Sequence, residues 1–198
     1  MTCKAYDLDE AMAAIAPAVT GDCAVAPLLN GVRHIDALTA RFGRHHVMGG
    51  LTAVNAVLLP DGRIVQSPVR IEMTAFGELD GKVSERCLAI QKSFADGGIK
   101  ADASGAILAA MWAKLIGFAT IAAVATLCRA RAGAIARAST SRALVDATLD
   151  ECSRIAEAEG FLTPDAIRSA ARGLFSQPDS TYGPVNSGRH GERPHHRG

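Results

Sequence analysis

The sequence predicts an α/β part followed by an all-helical part, and three observations carry that prediction. Up to Gly81 helix-period and strand-like apolar patterns alternate, which is the signature of a mixed layer with parallel pairing. Beyond Gly81 every long apolar pattern has helical period. The composition, 48% hydrophobic and 21% charged over 198 residues, is that of a chain able to bury a real core.

In order, "TCKAYD" resembles the end of a short strand, and "LDEAMAAIAPAV" (8–19) is helical, with Leu8, Met12, Ile15 and Ala16 on one face. "CAVAPLLNG" (23–31) has the continuous apolar run of a buried strand, closed by Asn30-Gly31. "VRHIDALTARFG" (32–43) is an amphipathic helix that Gly43 stops. Residues 45–79 read as strands around the turn Pro60-Asp61-Gly62, where proline presets φ and glycine tolerates a positive φ. Then 82–98, 105–128, 141–160 and 163–175 are helical, the last opening on a Thr163 hydroxyl cap with Pro164 in the first turn. From Gln177 the apolar pattern fades, and "SGRHGERPHHRG" (187–198) reads as disordered tail.

Bulk chemistry excludes several classes. A net charge of +1 points to neither nucleic acid nor an anionic membrane surface. Five scattered cysteines without a C-x-x-C pair fit reduced thiols in a cytoplasmic protein better than a disulfide frame or a zinc site. Lys4, Asp7, Asp9 and Glu10 leave no apolar region for a signal peptide. "MWAKLIGFATIAAVATLC" (111–128) is read as a core helix, because only Leu115–Cys128 is free of charge and a span needs about 20 residues.

Chemistry-bearing motifs are few. Neither G-x-G-x-x-G nor G-x-x-x-x-G-K-[ST] occurs, so no phosphate-cradling loop is visible, and His45-His46 have no third partner at metal-ligand spacing. Asn30 either makes the turn after its strand or, as an amide at a strand's carboxyl end, offers donors and an acceptor to a ligand. Lys114 either snorkels to water from a helix edge or stands desolvated at the mouth of a cleft, with Trp112, Leu115 and Phe118 beside it. In the second case its lowered pKa makes it a proton donor or electrostatic clamp near neutral pH.

In sequence order, "KAYDLDEAMAAIAP", "PLLNGVRHIDALTARFG", "VMGGLTAV", "WAKLIGFATIAAVATLCRARAGAI" and "ALVDATLDECSRIAEAEGF" resemble the ketopantoate reductases (2-dehydropantoate 2-reductases) over roughly residues 3–183. The resemblance implies the C-terminal part of a Rossmann-type domain followed by a helical domain. Its boundaries are 1–81 for a partial NADP-binding domain lacking the first β-α-β unit, 82–183 for the helical domain and 184–198 for a disordered tail. It implies a cytoplasmic oxidoreductase of pantothenate-biosynthesis type that reduces a small 2-keto acid with NADPH. Lys114 matches the catalytic lysine, which also binds substrate. Asn30 matches an asparagine contacting cofactor and substrate, and Lys4 falls where a cofactor-proximal lysine is found. The partner readings are the 2-keto acid, no nucleic acid, no membrane, and a homodimer through the helical domain. A non-catalytic helical interaction remnant is the alternative.

Three departures from the family pattern accompany these matches. The opening strand, Gly-rich loop and helix are absent, so weak or no NADPH binding is expected of these residues alone. Phe118 and Ala122 stand where the family has asparagines one and two turns after the lysine, and a later asparagine aligns near Ala132. An apolar lining there suits a more apolar 2-keto acid than ketopantoate. After "DSTYGP" the family continues S-M-L-x-D-x-x-x-G-x-x-T-E. Codons for Val185–Gly198 read one nucleotide later can encode that pattern, so a frameshifted remnant, incomplete at both ends, is the expectation.

Overall fold

In the computed structural model, residues 1–54, 56–66, 72–180 and 182 are described. The expected tail, and with it the frameshift reading, lies outside the described residues. The chain divides into two compact units, Met1–Met111 and the part from Trp112 onward.

The first unit contains helices α1 (Leu8–Ile15), α2 (His34–Phe42) and α3 (Glu85–Asp96) and strands β1 (Met48–Val54), β2 (Ala56–Leu58), β3 (Ile64–Gln66), β4 (Glu72–Glu78) and β5 (Asp102–Ala103). β1 and β4 are antiparallel, from Met48 opposite Glu78 to Val54 opposite Glu72, and β5 lies parallel on the far side of β4. β2 and β3 form a separate antiparallel ribbon. The expected turn is its tip: Gly62 takes φ +86°, and Asp61 accepts from the Arg63 backbone N–H at 3.0 Å and from Arg63 Nε at 2.8 Å.

Two expectations are corrected here. The segment 23–31 is not a regular strand. It is extended, with one parallel bridge between Val25 and Val47, where Val25 N–H donates to His46 O (2.7 Å) and Met48 N–H to Val25 O (3.0 Å). On its other side the Met1 ammonium donates to Ala26 O and the Leu28 N–H donates to Met1 O, both at 2.9 Å, again the parallel pattern. Pro27 interrupts the ladder on the β1 side, where the next donor would be its missing N–H, while the bonds to Met1 use its neighbours Ala26 and Leu28. Its carbonyl also packs on Gly50, where a Cβ would come within 2.4 Å of the oxygen. "TCKAYD" likewise does not end a strand, since Ala5–Asp7 form a 3₁₀ turn. Parallel pairing is thus limited to the short β4–β5 pair and isolated positions, while the long β1–β4 ladder is antiparallel, as is the β2–β3 ribbon that the short turn at 60–62 closes.

Leu38, Val47, Leu51, Ile107 and Met111 make the main core of this unit, and Met48, Phe76, Cys87 and Ala101 a second core beneath α3. Gly77 lets β4 run against the chain before α4, because a Cβ there would lie within 2.1 Å of Ser104 O.

Helices α4 (Ile107–Cys128), α5 (Ala132–Ala136), α6 (Ser141–Ala158) and α7 (Asp165–Leu174) complete the chain, the unit boundary falling within α4. In the second unit one core gathers Val124, Ala132, Ile135, Val145 and Phe175, another Ile116, Leu149, Ala156 and Ala171. Trp112 stacks on Phe161 at 5.8 Å, and Arg168–Asp150 (2.8 Å) and Arg172–Asp146 (2.6 Å) tie α7 to α6. The expected Thr163 cap does not form. α7 begins after Pro164, and the Thr163 hydroxyl is buried without a hydrogen-bond partner. α4 spans 22 residues, because Lys114 lies inside the helix rather than ending it. By length and composition it could cross a membrane, a test that core helices also pass. Ile107, Met111, Ile116, Thr120, Val124 and Ala125 are its buried residues.

Candidate active site

Lys4 and Asn30 stand at the same end of the first unit. The backbone bonds that flank Met1 and Pro27 set these residues side by side in parallel register. Lys4 and Asn30 each follow three residues later, beyond the carboxyl ends of two neighbouring extended segments. This is the edge at which open α/β sheets bind ligands. Both residues are exposed. Leu29 is buried, which anchors the segment, and Gly31 turns the chain into α2 with φ +89° and open space where a Cβ would stand. The backbone can therefore approach a flat ligand closely here.

His34 opens α2 four residues after Asn30 and is buried. Its Nε2 has no hydrogen-bond partner, and burial pushes its pKa below 6.5. No motif or ligand spacing in the sequence marks this residue. Its signal was a histidine at the first turn of a helix, where the helix dipole also disfavours the cationic form.

Lys114 belongs to the second unit. The side chain is half-buried, and desolvation pushes its pKa below the usual 10.5. Phe118 and Ala122 follow at one-turn spacings on the same helix face, and both are exposed, Phe118 to 50%. Ala132, the third position at which a family asparagine is expected, is buried in a core.

A second polar cluster lies at the opposite, amino end of the parallel segments. Glu78, the end of β4, takes a bidentate pair of bonds from Arg86 (2.6 and 2.5 Å) and one from the Ser84 hydroxyl (2.5 Å). Arg86 also donates to His45 O at 2.7 Å, and these bonds hold the Glu78 carboxyl below its ordinary 4.5. The cluster borders an open cavity of about 560 Å³ with Arg44, Asp80 and Lys82. Glu78 pairs with Met48, next to the Val25–Val47 bridge, and Asn30 lies five extended residues further on, about 16 Å along the strand direction. The cluster is thus a brace between β4 and α3, remote from Asn30. Among the described residues no group of three or more His, Cys, Asp or Glu side chains could hold a metal ion.

Residues 1–81 match the family model described as ketopantoate reductase PanE/ApbA, and residues 106–192 match that of its C-terminal part. The second match passes Gly183, so the likeness reaches further than the sequence motifs suggested. The oxidoreductase YkpB of Bacillus subtilis (strain 168), described as uncharacterized, is 29% identical over 166 residues, which are 83% of this chain and 54% of that protein. A 2-dehydropantoate 2-reductase of Archaeoglobus fulgidus is 30% identical over 161 residues, 81% of this chain and 53% of that one. The chain thus spans about half the length of the curated relatives it matches. Among solved structures, the fold is similar to that of 2-dehydropantoate 2-reductase from Geobacter metallireducens GS-15, with a TM-score of 0.76 at 19% identity over 88% of this chain and 58% of that one. It is also similar to D-mandelate dehydrogenase in complex with NADH, with a TM-score of 0.75 at 18% identity over 87% and 57%. The fold class is accordingly that of a Rossmann domain with a helical C-terminal domain.

Proposed function

The chain belongs to the ketopantoate reductase family, and on that premise we propose that it carries part of an NADPH-dependent reduction of a small 2-keto acid to a 2-hydroxy acid in the cytoplasm, of pantothenate-pathway type. The single observation that carries the assignment of roles is the half-buried Lys114, whose proton is loosened by desolvation on the helix that opens the family's C-terminal part. In this reading the first unit holds the cofactor and the helical residues from Trp112 onward the substrate.

The nicotinamide end of a cofactor fits the carboxyl edge, where Lys4 and Asn30 are exposed and Gly31 leaves open space. The bound cofactor supplies the hydride. Asn30 positions the reacting groups with its amide donors and acceptor. Lys4 would place a cation beside the bound cofactor. As charge builds on the keto oxygen, the Lys114 ammonium stabilises it and then gives up its proton, leaving the hydroxyl of the product. A lowered pKa brings that proton closer to neutral pH and so favours the transfer.

Exposed Phe118 and Ala122 beside Lys114 support a substrate with an apolar rather than hydroxylated remote end. The test is keto-acid-dependent oxidation of NADPH, supplied at millimolar level because these 198 residues carry no G-x-G-x-x-G. Lys114→Ala should cut the rate by about 10²–10⁴-fold without moving the melting temperature more than slightly. Activity that survives the substitution contradicts the reading, and micromolar affinity for NADPH by calorimetry contradicts the expected weak binding.

A further inference from the structure

α4 ends on an arginine in a conformation that favours glycine. Arg129 N–H donates to Thr126 O (3.2 Å) and Ala130 N–H to Ala125 O (3.3 Å), the pair of bonds that closes a helix through one left-handed residue. That residue is Arg129, at φ +49°. α6 closes with the same pair, Gly160 N–H to Glu157 O and Phe161 N–H to Ala156 O, and there the left-handed residue is a glycine at φ +85°. Among the described residues every positive φ except that of Arg129 belongs to glycine. A β-carbon is unfavourable at such angles, so the side chain at 129 is held against a local backbone cost. The attraction of cations to the carboxyl end of a helix does not require it, because Arg131 supplies that charge at ordinary extended angles (φ −76°, ψ 156°).

Arg129, Arg131 and Arg137 border an open cavity of about 410 Å³, and Asp179 is the one acid among its lining residues. One wall is fixed by three bonds: Gly133 N–H to Ser180 O (3.0 Å), Ala132 N–H to Tyr182 O (2.8 Å) and Arg137 Nη1 to Pro178 O (2.5 Å). The ion pairs of this unit join Arg142, Arg168 and Arg172 to Asp146 and Asp150, and among the described residues none reaches Arg129 or Arg131. Three guanidiniums against one carboxylate leave the cavity cationic, at a volume suited to a small ligand. Arg129 follows Lys114 by fifteen residues, about 22 Å along α4, so this cavity is separate from the candidate active site.

We propose that this cavity binds a small phosphate-bearing anion, with the Arg129 and Arg131 guanidiniums as its clamp and Arg137 fixing the wall. Guanidinium forks match phosphate oxygens two at a time. A phosphate group carries close to two negative charges at neutral pH and so answers three cations and one acid better than a single carboxylate does. The site does not depend on the reductase reading, since none of its residues belongs to the cofactor or substrate machinery.

Isothermal titration calorimetry of the full chain with inorganic phosphate and with glycerol phosphate, at about 0.15 M salt, tests it. The expected result is saturable binding with a Kd of about 1 mM or tighter, and the tighter of the two probes tells free phosphate from a phosphate ester. Arg129→Gly and Arg131→Gln should each weaken binding at least about tenfold. Arg154→Gln, an equal loss of charge at an exposed position of α6, should change it less than about twofold. Arg129→Gly should not lower the melting temperature, because glycine takes the left-handed angles freely. Glutamine takes the extended angles of Arg131, so that variant reads binding with the backbone undisturbed. No saturation by either probe at about 10 mM, equal weakening by Arg154→Gln, or binding retained in both clamp variants overturns the proposal. A lower melting temperature in Arg129→Gly with binding untouched makes Arg129 a helix cap alone and overturns it too.

Discussion

Gly50→Ala tests how the antiparallel ladder positions the end of the "PLLNG" segment. A methyl at Gly50 would sit 2.4 Å from Pro27 O, with Leu28 Cδ2 at 3.2 Å and Pro27 C at 3.3 Å. Ordinary contact requires the carbonyl to retreat by roughly 1 Å. That carbonyl belongs to backbone, not to the end of a flexible side chain, and the segment is held on both sides. Retreat strains the Val25–Val47 bridge on one flank and the bonds to Met1 on the other. Overpacking of this kind costs about 1–3 kcal/mol, and each weakened backbone bond adds up to about 1 kcal/mol. The expected loss is about 2–4 kcal/mol, which for a chain of this length lowers the melting temperature by about 5–15 °C. Thermal and urea denaturation followed by far-ultraviolet circular dichroism read it directly. Asn30 follows Pro27 by three residues, so if the chain carries the proposed reductase activity, the same substitution should depress its rate more than stability explains at temperatures where the fold is intact. A loss below about 1 kcal/mol would refute the claim that Gly50 is needed for this backbone approach.

Gly117→Ala should act in the opposite direction: it lies inside α4, a Cβ there meets Ile167 at an ordinary 3.5 Å, and alanine is the better helix former by about 1 kcal/mol, so the denaturation midpoint should rise. The Glu78 brace should give an acid limb to stability. Because Arg86 first, and Ser84 after burial is set against it, hold the folded carboxyl below 4.5, the stabilisation is fully present above pH 4.5 and is lost as pH falls through the folded value. Glu78→Gln should flatten that limb, and Arg86→Ala at pH 7 should cost about 1–3 kcal/mol by leaving the carboxylate unpaired, both measured by urea denaturation across pH.

Helices were legible where periodicity was long. α1, α2, α3, α4, α6 and α7 all fall inside expected segments, and Gly43 ends α2 with φ +83°, as its position suggested. α5 was missed because five residues, three of them alanine, carry no period to detect. The segment 23–31 was misread for a different reason. A continuous apolar run reports burial, and burial does not specify pairing; Pro27 removes the donor a ladder needs. The Thr163 cap failed because a hydroxyl at the right position caps only when it turns toward the helix, which local sequence does not decide. The Glu78–Arg86 brace was invisible, since a strand end and a helix start eight residues apart share no sequence period.

The candidate site divides along the same line. Lys114 could be singled out because a lone cation among apolar residues conflicts with its surroundings, and the lowered pKa is that conflict expressed as a proton equilibrium. Asn30 shows no such conflict: an Asn-Gly after an apolar run makes an acceptable turn whether or not a ligand visits it. What distinguishes it is the parallel register that sets it level with Lys4, a relation between segments 26 residues apart that only the backbone bonds to Met1 reveal. Electrostatic conflict can be read one residue at a time, whereas position at a sheet's carboxyl edge cannot. A lysine substitution should therefore be felt in the chemical step, and a displaced Asn30, as in Gly50→Ala, in how often reactants are aligned for it. If Gly50→Ala raised KM alone and left kcat untouched, Asn30 would be acting in uniform binding and the alignment argument would fail.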